Sequence, residues 1–469
     1  MSDQLTALSS LISNGITEIA KKYAERGQSY PILADPAAGD GIMDDADITK
    51  ATNTVLAAAA QLIETLRKPA DVLMDTVYAM HTTSALRVAV ETGIAELLRE
   101  AGPDGLHIKV IGDKVGVDGD KLGRCLRFLS ARHIFKELAP DVFANNRHSA
   151  VLDTGKPYEA IQNRPLDRFE NAQRNMAAFV SHASAEPFAK GAMCLTDYLL
   201  DPESSFSIDP AITPVSRGHG QNIAWFEYIE QPGNERLLKN MGAAMAVSAS
   251  LFPKELVLST FDWDSLKKGD LVVDVGGGIG SCTLPLAQGF LHLRYVIQDR
   301  PSVIPQGFKY WASEFPAAIE TGMVQLQAHD FFQPQPIKDA SVFLLRFVIH
   351  DWADKYAKEI MCLLRASATP RTKLLLLEFV VPYTCNAGAD GKGKYSYVPG
   401  AEDDQPPYPL LPSMGPVSSH VYFADLRMMA NCNSPERTIG QWVDLAEGTG
   451  WKLESVKKGA LSALVYGVA

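Results

Sequence analysis

The chain has 469 residues, 46% of them hydrophobic and 21% charged, with a formal net charge of -11 and a pI near 5.5. That length and apolar content suit a globular protein with two or three cores, and they exclude a fibrous or disordered chain. The acidic balance weighs against a nucleic-acid partner, which would call for a basic face or a basic domain.

Six cysteines, Cys125, Cys194, Cys282, Cys362, Cys385 and Cys432, stand without any C-x-x-C spacing. Neither a zinc cluster nor a disulfide framework is expected, and reduced thiols fit the cytosol. The first Lys is Lys21, so no basic leader segment is expected. No apolar run approaches the ~20 residues of a membrane span, and the expectation is a soluble, cytoplasmic protein.

In chain order, Leu5, Leu8, Ile12, Ile16 and Ile19 mark one face of a helix over residues 5–24. A second helical stretch over 49–67 is expected to end at Pro69, which makes residues 1–70 a helical extension. Residues 71–165 read as short helices followed by two strands, IFKEL and VFANN. That is the order of a winged helix, in which the helix over Asp120–His133 would be the one to enter a DNA groove. Its cations Lys121, Arg124, Arg127 and Arg132 are read instead as a solvated face, with Leu122, Leu126 and Leu129 packed inward.

Residues 166–254 are helical by pattern. From 255 to 469, apolar β-branched runs (LVVDV, RYVIQ, VQLQ, SVFLLRFVI, KLLLLEFVV, ALVYGVA) alternate with helical segments. Continuous apolar strands in such alternation predict a Rossmann-like, doubly wound parallel sheet buried on both faces. A Gly- and Pro-rich insertion over 383–420, carrying Glu402, Asp403 and Asp404, reads as a surface loop.

Three consecutive glycines follow LVVDV, in the spacing D-x-G-x-G-x-G from Asp274 through Gly276 and Gly278 to Gly280. A nicotinamide fingerprint would need a third Gly at Ser281, and no Lys-Ser or Lys-Thr pair follows to make a P-loop. Glycines let a ligand lie against bare backbone. Asp299, at the end of the next strand, has the position of an acid that accepts ribose hydroxyls. Asp330 and Phe331 close the third strand and suit an adenine amino group and ring face. The ligand reads as a nucleoside with no phosphate clamp.

The ordered set VVDVGGGIG, QDRPSVI, HDFF, LLRFVIHDWAD, KLLLLEFVVP and NSPERTIGQWVDLAEGTGW resembles the class I S-adenosylmethionine-dependent O-methyltransferases, in the branch that methylates phenolic natural products in plants and fungi. The resemblance spans most of residues 75–469. It implies a seven-stranded methyltransferase domain over 255–469, and a winged-helix-like region over 71–165 that serves as a homodimerisation domain. It also implies S-adenosylmethionine as cofactor, with S-adenosylhomocysteine as product. The methionine part would lie beside Asp274 and the glycines, the ribose on Asp299 and the adenine on Asp330 and Phe331. Arg346 stands where the family usually has Lys, and Arg300 replaces the customary Leu after the ribose acid.

His350 follows a strand, at the sheet edge where open α/β sheets bind ligands. A phenol titrates near pH ~10 and free imidazole near ~6.5, so a base is needed to make the hydroxyl nucleophilic. In the resemblance His350 is that base, Glu378 and Glu436 flank it, and Asp351 lies beside the substrate; no metal is required. Phe179, Met241, Met245, Phe252 and Trp352 are candidate walls for a small aromatic substrate, and they suit an ordinary core equally well; packing is the favoured reading for Trp352. Cys282 reads as a small buried residue, not a nucleophile. Two other activities fit less of this set: a pericyclase or dehydratase using the sulfonium as a fixed charge, and a DNA-binding regulator.

Overall fold

The computed structural model describes residues 2–39, 41–42, 45–172, 176–385, 393–402 and 405–469; Asp403, Asp404 and part of the expected insertion lie outside them. Two compact units divide the chain. One comprises Met1–Lys190, Phe226–Leu251 and Pro407–Leu410, the other Gly191–Trp225, Phe252–Pro406 and Leu411–Ala469. The helical stretch expected over 166–254 is therefore shared between the units.

In the first unit the helices Ser2–Glu25 and Ala46–Leu66 pair through Ile19, Tyr23, Ile48 and Ala51. Asp45 caps the second by accepting from the amides of Asp47 and Ile48. Pro69 does not end that helix. The chain turns extended at Arg67, and Pro69 opens the next helix, Pro69–Tyr78, at its first position, where a missing N–H costs nothing. Strands β1 (Leu106–His107), β2 (Lys136–Ala139) and β3 (Val142–Ala144) form an antiparallel sheet in the order β1-β3-β2. The helix Gly119–Ala131 buries Leu122, Leu126 and Leu129 as expected. Its Arg127 pairs with Glu137 and Asp141, and Arg132 with Asp75, so these cations are already engaged within the fold.

The second unit is built on β4 (Leu271–Val275), β5 (Arg294–Asp299), β6 (Val324–Ala328), β7 (Val342–Arg346), β8 (Lys373–Glu378), β9 (Val380–Val381), β10 (Arg437–Thr438), β11 (Trp451–Lys457) and β12 (Ser462–Val468). Seven of them form one sheet in the order β11-β12-β8-β7-β4-β5-β6, while β9 and β10 pair separately in parallel. Residues of β4 and β7 are buried alternately in two cores, Val273, Val275 and Phe343 on one face and Val272, Val342 and Leu344 on the other. Burial on both faces is why these strands read as unbroken apolar runs.

Two expectations are corrected. The sheet is not wholly parallel: β12 runs antiparallel to β8, and β11 antiparallel to β12. β11 alternates buried and exposed residues because it is an edge strand, which is why it did not read as an apolar run. Moreover the run Phe343–Ile349 is not one strand. β7 ends at Arg346, Phe347 takes a left-handed φ of 53°, and Ile349–Asp351 is a short 3-10 turn. A bulky residue at positive φ is costly and persists only where its surroundings over-determine it.

Candidate active site

The carboxyl ends of β4, β5, β7 and β8 carry Asp274, Asp299, Arg346 and Glu378. Parallel register sets Asp274 across from Ile297 and Leu344, and Arg346 across from Leu377, which brings these ends to one edge of the sheet.

After β4 the backbone turns through Gly276, Gly278 and Gly280 at φ of 69°, 60° and 83°. The amides of Gly276 and Gly277 both reach the carbonyl of Gln298, and the amide of Gly278 donates to Asp299 Oδ2 at 2.8 Å. A Cβ on Gly276 would strike Val348, and one on Gly280 would strike Ile297 and Trp311, but one on Gly278 would meet nothing within 4 Å. Gly278 thus faces open space and the other two face protein.

Asp274 is buried and accepts from Thr283 through Oδ2, while its Oδ1 has no partner. Burial pushes its carboxyl up to about 6, against the pull of Thr283 and of the nearby Arg346 guanidinium. Arg346 in turn has a buried Nε without a partner and lies over the rings of Phe252 and Phe347. Phe331 sits next to the position a Gly276 Cβ would take and packs edge-on to Trp352. One unsatisfied carboxylate oxygen, one unsatisfied guanidinium N–H, the bare Gly278 and the ring of Phe331 beside Gly276 form a set that fits S-adenosylmethionine, whose amino group Asp274 would take, its carboxylate Arg346, its ribose Asp299 and its adenine Phe331.

Beyond the left-handed turn at Phe347, His350 meets Glu378 from β8 and Glu436 from the segment before β10. His350 Nδ1 donates to Glu436 Oε1 at 2.8 Å, whereas Nε2 lies 3.6 Å from Asp351 Oδ1. Glu378 is fully buried, and its Oε1 accepts the amides of Val348 and Ile349, which fixes the turn to the strand end. The second carboxylate oxygens of Glu378 and Glu436 have no partner. Burial works against a charged imidazole here, yet Asp351, Glu378 and Glu436 together outweigh it and hold His350 up to about 10. Burial likewise pushes Glu378 up to about 7 and raises Asp351. His350, Glu378 and Glu436 offer ligand atoms within 4.8 Å of one another, a spacing that would also admit a divalent cation.

The structure therefore brings His350, Asp351, Glu378 and Glu436 together, and places Asp274, Gly276, Gly278, Gly280, Asp299, Phe331 and Arg346 at one edge of the sheet. Asp330 is exposed just beyond β6, where its Oδ1 accepts from the amide of Phe332. The amide of Arg300 donates to Asp299 Oδ1 and so helps fix that carboxylate. Trp352 is half-buried against Phe331, Phe332 and Tyr356, consistent with the packing reading. Phe252 packs on Phe347 and Phe379 in the second unit, while Phe179, Met241 and Met245 belong to the first, where Met245 is 45% exposed. Cys282 is buried and its thiol is pushed up to about 12, which removes it as a nucleophile at neutral pH.

Sequence reasoning missed Phe347, whose ring lies 5.2 Å from that of His350, and Ser434, whose hydroxyl donates to the carbonyl of His350 at 2.6 Å. It also missed Arg437, next to Glu436. The signal available in the sequence was its place directly after Glu436 in the PERT segment.

A bare glycine turn beside an unsatisfied carboxylate oxygen and guanidinium N–H, with a buried imidazole held by carboxylates at the neighbouring strand ends, suits a group-transfer enzyme that takes a nucleoside cofactor. Residues 209–397 match the model of an O-methyltransferase domain. The chain is 36% identical over 460 residues to an O-methyltransferase of Armillaria gallica, covering 97% of this chain and 96% of that one. It is 33% identical to 4-O-methyltransferase 1 of Phanerochaete chrysosporium, over 98% of this chain and 96% of its relative. The chain belongs to the S-adenosylmethionine-dependent O-methyltransferases, and S-adenosylmethionine is its cofactor. Among solved structures, the mitomycin 7-O-methyltransferase is similar at a TM-score of 0.61 and 20% identity, covering 88% of this chain and 99% of that one. LepI in complex with S-adenosylmethionine is similar at 0.65 and 18% identity, over 89% and 94%; likenesses this distant show the fold alone.

Proposed function

We propose that the enzyme methylates a phenolic hydroxyl of a small aromatic metabolite, with His350 as the proton acceptor, Glu436 and Glu378 orienting it, and Asp351 beside the substrate. The observation that carries this reading is the division of the imidazole: Nδ1 is committed to Glu436, while Nε2 makes no hydrogen bond and is left for an incoming oxygen. The cofactor, when bound, supplies an electrophilic methyl on a sulfonium. With the donor bound, its methyl would pass from sulfur to the phenolic oxygen, leaving a neutral thioether, and His350 would hold the phenolic proton.

The three carboxylates raise the imidazole toward the range of a phenol, which makes it a stronger proton acceptor than a free imidazole. The cost is that the resting ring is charged at neutral pH. One proton must leave the pair before transfer, whether from the imidazolium or from the phenol, and the oxygen then lies as a phenolate against Nε2–H or gives its proton to a neutral ring. Both routes have the same proton count, and both make the rate rise with pH between 7 and 10. No step calls for a Lewis acid, so turnover is expected to survive EDTA.

Product mass tests the reading: incubation with a panel of phenols and labelled S-adenosylmethionine is expected to add one methyl and release S-adenosylhomocysteine. A substrate isomerised or dehydrated with the cofactor intact would overturn it in favour of ring-closing or dehydrating chemistry. We also propose a homodimer built on the first unit. The helix Pro69–Tyr78 buries none of its residues, and Leu66, Leu73, Met74, Val77 and Tyr78 are each more than half exposed, an apolar face that calls for a partner. Sedimentation of the double variant Leu73→Lys, Val77→Lys is expected to give a monomer where the native chain gives a dimer. A cytoplasmic location suits the six free thiols.

A further inference from the structure

We propose that Arg437 is a positioning residue that holds the imidazole of His350 against Glu436, by clamping both sides of the turn on which His350 rides. This rests on the reading of His350 as the proton acceptor.

Arg437 is completely buried, which a guanidinium tolerates only when its donors are filled. Nη1 donates to the carbonyl of Ile349, the residue before His350, at 3.2 Å. Nη2 donates at 2.8 Å to the carbonyl of Trp352, two residues after it. Nε and Nη2 both reach Asp354 Oδ1, at 3.0 and 2.8 Å, in the first turn of the helix Asp354–Arg365. The guanidinium also lies over the ring of Trp442, 5.2 Å from its centre.

The backbone of Arg437 is equally placed. β10 pairs with β9 so that Arg437 lies opposite Val380, two residues beyond Glu378. Glu436, one residue earlier, is thereby set beside the end of β8. From the same short segment, Ser434 donates to the carbonyl of His350 itself. Residues 434–437 thus hold the turn at Ile349, His350 and Trp352, and the carboxylate that bonds the ring projects from the middle of that grip. A buried cation needed only for stability would have no reason to straddle the one residue whose side chain its neighbour binds.

Lysine keeps the charge but cannot span two carbonyls and a carboxylate with one ammonium. In Arg437→Lys, S-adenosylhomocysteine affinity by calorimetry is expected to stay within about threefold, because the glycine crevice is untouched. Turnover is expected to fall about 100-fold with KM nearly unchanged, the scale of a misplacement of about 1 Å. The His350 imidazole, followed by NMR in the S-adenosylhomocysteine complex, is expected to titrate at lower pH by a unit or more as its contact with Glu436 loosens. In Arg437→Ala, added guanidinium is expected to restore part of the lost turnover.

A Lys variant with native turnover and an unmoved His350 titration would overturn the assignment. So would losses in both variants that simply follow loss of S-adenosylhomocysteine binding, since the residue would then be structural. If His350→Ala keeps its turnover, the proton-acceptor reading fails, and the imidazole titration in Arg437→Lys still decides whether Arg437 positions the ring.

Discussion

Asp274 and Glu378 are both carboxylates buried at the ends of central strands, and burial pushes both up, to about 6 and about 7. They differ in what surrounds them. Asp274 has Thr283, one cation at Arg346 and an unpartnered oxygen beside the glycine turn, and in the proposed reading that partner is the cofactor's amino group; Glu378 and Glu436 each keep an unpartnered oxygen too. Glu378 already has two backbone amides and shares an imidazole with Asp351 and Glu436, so its cluster holds its own cation. On the proposed reading, one site is short of positive charge and receives it with the ligand, whereas the other has a surplus of negative charge and keeps a proton on His350.

The largest expected effect tests the second half of that contrast. His350→Ala is expected to lower turnover by about 100-fold or more, the usual scale of general-base assistance, while cofactor affinity stays near native. Labelled-methyl transfer and calorimetry on one preparation check it, and a parallel fall in both would deny that the two sites are separate. Glu378→Gln comes next. The amide oxygen still accepts from Val348 and Ile349, so the turn is kept and one negative charge is removed. With less charge to hold the proton, His350 is expected to titrate lower, and the rising limb of the rate against pH is expected to move about one unit toward neutral. A limb that stays in place would mean that Glu378 does not share the His350 proton.

Much of this was legible in the sequence because it lies in local order. Asp274 and its glycines are contiguous, and Asp299 and Asp330 close the two following strands, so a strand-turn-helix reading finds them. The cluster around His350 is different. His350, Glu378 and Glu436 come from three separated segments, and no spacing argument joins them; only the family resemblance did. What stayed hidden was backbone conformation and long-range donation. The left-handed Phe347 ends β7 early inside an apolar run that reads as one strand, and the carbonyls gripped by Arg437 leave no trace in residue identity. The alternation in β11 was readable, but strand-length apolar runs were the signal sought.

A smaller effect tests the cofactor side. The free-state Asp274 is held up to about 6, and a bound ammonium or sulfonium favours its ionised form. Below pH 6 the ligand must therefore displace a proton, and S-adenosylmethionine affinity is expected to weaken as pH falls, by at most tenfold per unit. Above pH 7 it should be flat. Asp274→Asn is expected to bind weakly at every pH and to lose this slope; a slope that persisted would assign it to another group.

The smallest effects separate two glycines of the same turn. Both have left-handed φ, so alanine costs roughly 1 kcal/mol at either through backbone strain alone. At Gly280 the added methyl also meets Ile297 and Trp311 at 2.5 Å, where overpacking adds ~1–3 kcal/mol. At Gly278 it meets nothing. Gly280→Ala is therefore expected to lower Tm more than Gly278→Ala. Cofactor affinity is expected to reverse the order, because the space a Gly278 methyl would fill is the space the ligand needs. Thermal melts and calorimetry on the two variants decide it, and a Gly278→Ala enzyme that bound S-adenosylhomocysteine like the native chain would move the ligand away from this turn.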